Sequence, residues 1–256
     1  MRVAVIKLTS CSGCINEIVK VVALDPKLLD IYEFVYFNEI TDSVENVSKY
    51  DIVFVEGSIT TKEQEDMVKM FRGLTDFMVA IGACAIHGGV QALRVGENIE
   101  AVKAYVYPDP KLIEVESDVK PVAYATKIDF YIPGCPVRGD AVKSLLEKFA
   151  RGGLPTPILE SVCGECKRRG IQCLVVSHGI SCLGPITISG CGAICPSFRR
   201  GCYGCYGLRG FDETLTNVGN YIGLLGRLGL GKEIVDYLLR AFSFKEFSKL
   251  IKAFEK

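Results

Sequence analysis

The sequence predicts an α/β protein with a flavodoxin-like parallel sheet over residues 1–155, a cysteine-rich domain over 156–210 and a helical tail over 211–256. Three observations carry this. Strand and helix signals alternate through the first 150 residues, and the strands are nearly continuous apolar runs, the pattern of a parallel sheet covered on both faces. After the linker-like Leu154-Pro155-Thr156-Pro157 the composition shifts to Cys, Gly, Arg and Pro with little periodicity. From residue 212 helical spacing returns.

The elements follow in order. RVAVIKL (2–8) is an apolar strand, and residues 15–24 place Ile15, Ile18, Val19 and Val22 on one helix face. IYEFVYF (31–37) and DIVFVEG (51–57) are strands. KEQEDMVKMFRG (62–73) is a helix closed by Gly73. DFMVAIGAC (76–84) is a buried strand, with Cys84 closing it. KIDFYIPGC (127–135) is another, followed by a helix near 138–150. Apolar residues at 215, 218, 222 and 225, then 234, 238 and 242, give the tail amphipathic helices.

Formal charge is zero, with 30 basic and 30 acidic residues, so nothing favours nucleic acid or a membrane surface. No run approaches the roughly 20 apolar residues of a membrane span, and the N-terminus reads as a strand, not an export signal. A cytoplasmic protein is expected. There thiols stay reduced, so the 12 cysteines point to metal before disulfides.

The cysteines form three sets of four. Cys11 and Cys14 follow the first strand, and Cys84 and Cys135 follow later ones. Strand carboxyl ends share one edge of an open parallel sheet, where ligands bind, so distant residues can surround one object. Gly13, Gly82 and Gly134 lie beside them, and Glu56 and Gly57 sit at another strand end. The alternative is a redox dithiol, Cys11-Ser-Gly-Cys14, with Cys84 and Cys135 in the core.

The other eight are spaced C-x2-C-x6-C-x8-C (Cys163, Cys166, Cys173, Cys182), then C-x8-C-x3-C-x6-C-x2-C (Cys182, Cys191, Cys195, Cys202, Cys205). Twelve thiolates is the ligand count of three four-iron cubanes at four each. Spacing leaves open a cysteine swapped between the second and third sets, and zinc is the competing metal. Lys167, Arg168, Arg169, Arg199 and Arg200 lie among these cysteines, where cations would raise a cluster's potential or simply form a solvated face. His178 reads as a surface histidine, and His87 as a donor to a cluster sulfide or a satisfied loop residue.

With these residues in place, the chain resembles the small, electron-transfer subunit of a nickel–iron hydrogenase. SCSGC (10–14) with Glu17, IGACA (81–85) and YIPGCP (131–136) resemble that family's proximal-cluster motifs. CGEC (163–166), CLGPIT (182–187), GCGAICPS (190–197) and CYGCYG (202–207) resemble the cytosolic group 3 branch, which includes sulfhydrogenase delta subunits and the F420-reducing and heterodisulfide-reductase-linked enzymes. Relative to the membrane-linked branch, Cys163 stands where a histidine ligand is found and Cys195 fills a position empty around its three-iron cluster. The complex I cluster subunit shares the first-domain fold, but it pairs two adjacent cysteines and has no second cysteine-rich domain.

The resemblance implies three 4Fe-4S clusters: proximal on Cys11, Cys14, Cys84 and Cys135, medial on Cys191, Cys195, Cys202 and Cys205, and distal on Cys163, Cys166, Cys173 and Cys182. It implies a large partner subunit holding the nickel–iron centre that cleaves H2, and flavin- or iron–sulfur-containing acceptor subunits. No catalytic group lies on this chain. Glu17 would serve the interface or a proton path, or else stabilise a helix start as acids do. Glu56 would stand behind the proximal ligands. The competing functions are a standalone ferredoxin-like electron carrier and a zinc-binding interaction module.

Overall fold

The computed structural model describes residues 1–37, 39–41, 49–158, 160–209, 215–229, 237 and 239–243. The chain divides into two compact units, Met1–Leu154 and Pro155–Lys256.

The first unit runs β1 (Arg2–Lys7), α1 (Gly13–Leu24), β2 (Glu33–Phe37), β3 (Ile52–Glu56), α2 (Lys62–Gly73), β4 (Met78–Ile81), α3 (Gly82–His87), α4 (Ile99–Val106), β5 (Phe130–Ile132) and α5 (Gly139–Phe149). All strand pairs are parallel, in the order β2-β1-β3-β4-β5. This is the flavodoxin-type order, whose ligand crevice opens at the strand carboxyl ends.

The unbroken apolar strands have a direct cause. Val3 and Val5 of β1, Ile52 and Phe54 of β3, and Val79 and Ile81 of β4 enter one core, beside Ile15 and Ile18 of α1 and Val142, Leu145 and Leu146 of α5. The alternate residues Ala4 and Ile6, Val53 and Val55, and Met78 and Ala80 enter a second core with Val68 and Phe71 of α2. Period-two alternation thus distributes one apolar run over two buried faces. Burying each such side chain contributes roughly 1.5–3 kcal/mol.

Local chemistry sets the ends. The Thr61 hydroxyl accepts the Gln64 N–H and caps α2, with Glu63 and Glu65 in the first turn. Tyr32, which precedes β2, is 1 % exposed, and its hydroxyl donates to the Leu146 carbonyl at 2.6 Å. Residues expected to extend two strands do other work. Asp129, ahead of β5, accepts from the Met78 N–H at 2.9 Å and from the Arg72 guanidinium. Residues 82–84, read as strand, turn into α3 because Gly82 takes φ +81°.

The second unit contains α6 (Val162–Arg168), α7 (Leu174–His178), α8 (Ile194–Ser197) and α9 (Leu215–Arg227). Its core is built from Val162, Leu183, Ile186, Leu208, Val218 and Leu225, with Ala193 and Cys202 among them. Short helices therefore occur inside the segment that sequence periodicity left unassigned. Of the tail expected over 211–256, residues 211–214, 230–236, 238 and 244–256 lie outside the described residues. Among the described residues, no helix is long and apolar enough to cross a membrane.

Candidate metal centres

The carboxyl edge of the sheet gathers the first quartet. Leaving β1, the Leu8 N–H donates to the Glu56 carbonyl at 2.7 Å and Thr9 bridges Ser58. This carries Cys11 and Cys14 to the β1–α1 turn, where Ser12 takes φ +64°. Cys14 lies in the first turn of α1. Cys84 sits in α3, not at the end of its strand: β4 stops at Ile81. Cys135 follows β5, joined to Pro136 by a cis peptide bond.

The four sulfurs share one electrostatic neighbourhood. Burial pushes the Cys14 thiol up to about 12, reinforced by Glu56, Cys84 and Cys135. Burial likewise pushes Cys84 up to about 12, with Cys135, Glu56 and Cys11 adding to it. Cys135 is raised by burial and then by Cys11 and Glu56. Packed thiols of this kind hold their protons until a bound cation stabilises the thiolate.

Two glycines shape the walls. A Cβ on Gly82 would strike Cys14 Sγ, and one on Gly89 would come within 2.5 Å of Cys84 Sγ. Glu56 is 2 % exposed and accepts from the Ser10 hydroxyl; burial raises its carboxyl, while Ser10, Lys7 and the Cys14 N–H oppose this. It stands behind the thiols and already has its partners. Gln91, which the sequence reading did not single out, donates to the Thr9 carbonyl at 2.9 Å and flanks Cys84. His87 is buried at the end of α3.

Glu17 has a specific structural task. The first turn of α1 carries no acid, so it does not stabilise its own helix start. Its Oε2 instead accepts the Gly139 N–H at 3.1 Å, at the first residue of α5.

In the second unit, Cys166 is raised to about 11 by burial and then by Cys163, Cys182, Cys191 and Cys173. Cys163 responds to burial, then Cys182 and Cys173. Cys182 and Cys173 thus act on both thiols, and Cys191 acts on Cys166 ahead of Cys173. Cys202, 8 % exposed, is pushed up to about 12 by burial, with Cys182 and Cys205 adding to it. The Cys202 N–H donates to Cys182 Sγ at 3.2 Å. From α9 the Tyr221 hydroxyl donates to the Cys182 carbonyl. His178 lies on the surface against Gln172.

Among the described residues, no three His, Cys, Asp or Glu side chains converge tightly enough for one metal ion. Soft sulfur donors and tight glycine walls fit an iron–sulfur cluster.

The family described as NADH ubiquinone oxidoreductase, 20 Kd subunit, matches residues 11–149. The chain belongs to this family. Full-length relatives locate it more closely. It is 35 % identical to sulfhydrogenase 2 subunit delta of Pyrococcus furiosus, over 81 % of this chain and 86 % of that one. It is 30 % identical to one subunit of the vhu F420-non-reducing hydrogenase of Methanocaldococcus jannaschii, over 90 % and 88 %. Among solved structures, a chain of an NAD+-reducing NiFe hydrogenase in its H2-reduced state aligns with TM-score 0.54 and 27 % identity, over 61 % of this chain and 94 % of that one. This family member is therefore of the hydrogenase small-subunit kind, on the α/β fold those proteins share.

Proposed function

We propose that this chain is the electron-transfer small subunit of a cytosolic nickel–iron hydrogenase, an oxidoreductase acting on H2 whose nickel–iron centre lies on a large partner subunit. Three 4Fe-4S clusters would supply one-electron stations. Cys11, Cys14, Cys84 and Cys135 would hold the proximal one, Cys191, Cys195, Cys202 and Cys205 the medial, and Cys163, Cys166, Cys173 and Cys182 the distal. Electrons would pass from proximal to medial to distal, then to a flavin- or iron–sulfur-containing acceptor subunit. The observation that carries this reading is the convergence of Cys11, Cys14, Cys84 and Cys135 on one sheet edge with coupled thiols.

The residues of this chain do the positioning. Gly82 and Gly89 leave room for sulfur where a side chain would block it. Glu56 fixes Ser10 and the Cys14 N–H, holding the β1–α1 turn. Gln91 ties the Cys84 side of the site to Thr9.

The test is metal content of the complex purified through a tag on this chain, with the bound proteins identified. About 12 irons per chain at four per cubane, after subtracting accessory subunits, together with a nickel-bearing large partner, is the expected result. Zinc without iron, or a lone monomer without nickel, would overturn the proposal. So would a Cys11→Ala complex that kept full H2-to-acceptor activity.

A further inference from the structure

Glu165 stands between Cys163 and Cys166 on α6, yet its carboxylate serves a different cysteine. Oε1 accepts the Gly190 N–H at 2.9 Å and Oε2 accepts the Ala193 N–H at 3.0 Å. Cys191 Sγ lies 3.7 Å from Oε2. One turn further along, Arg169 donates to the Gly192 carbonyl. A single helical face thus grips the loop that presents Cys191 through both an acid and a base.

The loop explains why the grip is needed. Gly190, Gly192 and Ala193 take φ of +121°, +70° and +50°. Left-handed residues in close succession turn their N–H groups into a concavity that favours an anion. Here the anion is the Glu165 carboxylate. Left-handed geometry is strained at an alanine, and hydrogen bonds to a charged acceptor offset that strain.

We infer that Glu165 positions the Cys191 sulfur and sets the reduction potential of the group it holds, with Arg169 acting in the opposite electrostatic sense. The inference rests on reading the cysteines as cluster ligands. Once Cys191 is a thiolate, a fixed negative charge beside it makes the addition of an electron less favourable, so Glu165 lowers the potential. The Arg169 guanidinium raises it, by less, because its side chain is exposed.

The experiment is an EPR-monitored redox titration of the intact tagged complex, comparing wild type, E165Q and R169Q, with iron and sulfide measured on each. The relevant signal is the one a Cys191→Ala complex lacks. Glu165→Gln is expected to move that midpoint upward and Arg169→Gln to move it downward, with the signals of the other clusters shifted less. Loss of that one cluster alone in E165Q also supports the positioning role. Unchanged midpoints in both variants, or shifts of the same sign, overturn the inference. If E165Q fails to assemble, R169Q decides alone: a downward shift supports the inference and an unchanged midpoint overturns it. A wild-type complex without clusters would instead overturn the proposed function, and that result precedes any variant.

Discussion

The Glu17 carboxylate accepts the backbone N–H of Gly139 at 3.1 Å, so an acid on α1 caps a helix that starts 122 residues later. This bond ties the start of α5 to α1 just beyond Cys135, and so helps hold that turn. A Cβ at Gly139 would come within 2.9 Å of Glu17 Oε2, so a side chain there would displace the carboxylate from this bond.

Replacing Glu17 should therefore affect stability before chemistry. Loss of a cap costs about 0.5–2 kcal/mol, and about 1 kcal/mol lowers Tm by roughly 2–4 °C for a chain of this size. Glu17→Ala should show that drop in thermal unfolding. Glu17→Gln, which keeps an acceptor oxygen, should retain most of the stability. H/D exchange and turnover of the E17Q complex should match wild type if the role is structural alone; a large loss of either would show a proton role.

The glycine walls give a sharper contrast. Gly82→Ala puts a methyl against Cys14 Sγ, and Gly89→Ala puts one against Cys84 Sγ. Each should lose about four irons per chain, one cubane's worth. Gly96 also has positive φ, +93°, but nothing lies within 4 Å of its Cβ position. Gly96→Ala should keep its iron and lose only about 1 kcal/mol from backbone strain. Iron and sulfide assays on the three complexes check this.

The Asp129 carboxyl is pushed up by burial, but the Met78 N–H and the Arg72 guanidinium outweigh this and hold it below its ordinary value. A depressed carboxyl contributes stability above its unfolded value, about 3.9, and loses it as pH falls through the lower folded value. Asp129→Asn should thus cost about 1.5–3 kcal/mol near neutrality. The gap to wild type should shrink below about pH 4. Thermal unfolding by far-UV circular dichroism across pH would show it; a constant gap would remove Asp129 from the latch between α2 and β5.

Tyr221 secures α9 to the Cys182 loop through its hydroxyl. Tyr221→Phe keeps the ring and the neighbouring Val218 and Leu225 packing but drops one hydrogen bond, worth about 1 kcal/mol. Amides of α9 should exchange faster by roughly fivefold, the factor for 1 kcal/mol, if they open locally. Unchanged exchange would mean apolar packing alone seats this helix.

The sheet was legible because its code is local. Val3-Ala4-Val5-Ile6 announces a strand buried on both sides without any knowledge of its neighbours. Strand limits were less so: 127–129 and 82–84 adjoin apolar runs, but Asp129 is committed to Arg72, which is remote in sequence, and Gly82 to a local turn. The cysteines were visible as ligand types, and the convergence of the first four followed from parallel topology. The helix-start alternative for Glu17 gives way to a bond with Gly139, a partner too remote in sequence to be read from its neighbours. Gln91 carried no signal at all. Glu165 had one that went unused: an acid inside C-x2-C, with the glycine-rich GCGAIC ahead in the chain, is a pairing of an anion with a loop able to receive it. Helix α4 spans only Ile99–Val106, too short to show a clear apolar period.

The two kinds of cysteine set also differ in when they can come together during synthesis. Cys11 and Cys14 emerge first, but their companions Cys84 and Cys135 wait for β4 and β5. Until the last strand has emerged and paired, Cys14 has no walled site. The eight later cysteines, by contrast, emerge within one continuous stretch from 163 to 205. Assembly therefore has a built-in order of readiness: the sheet-edge set of thiols is complete only when its domain is finished, so a truncated nascent chain lacks it.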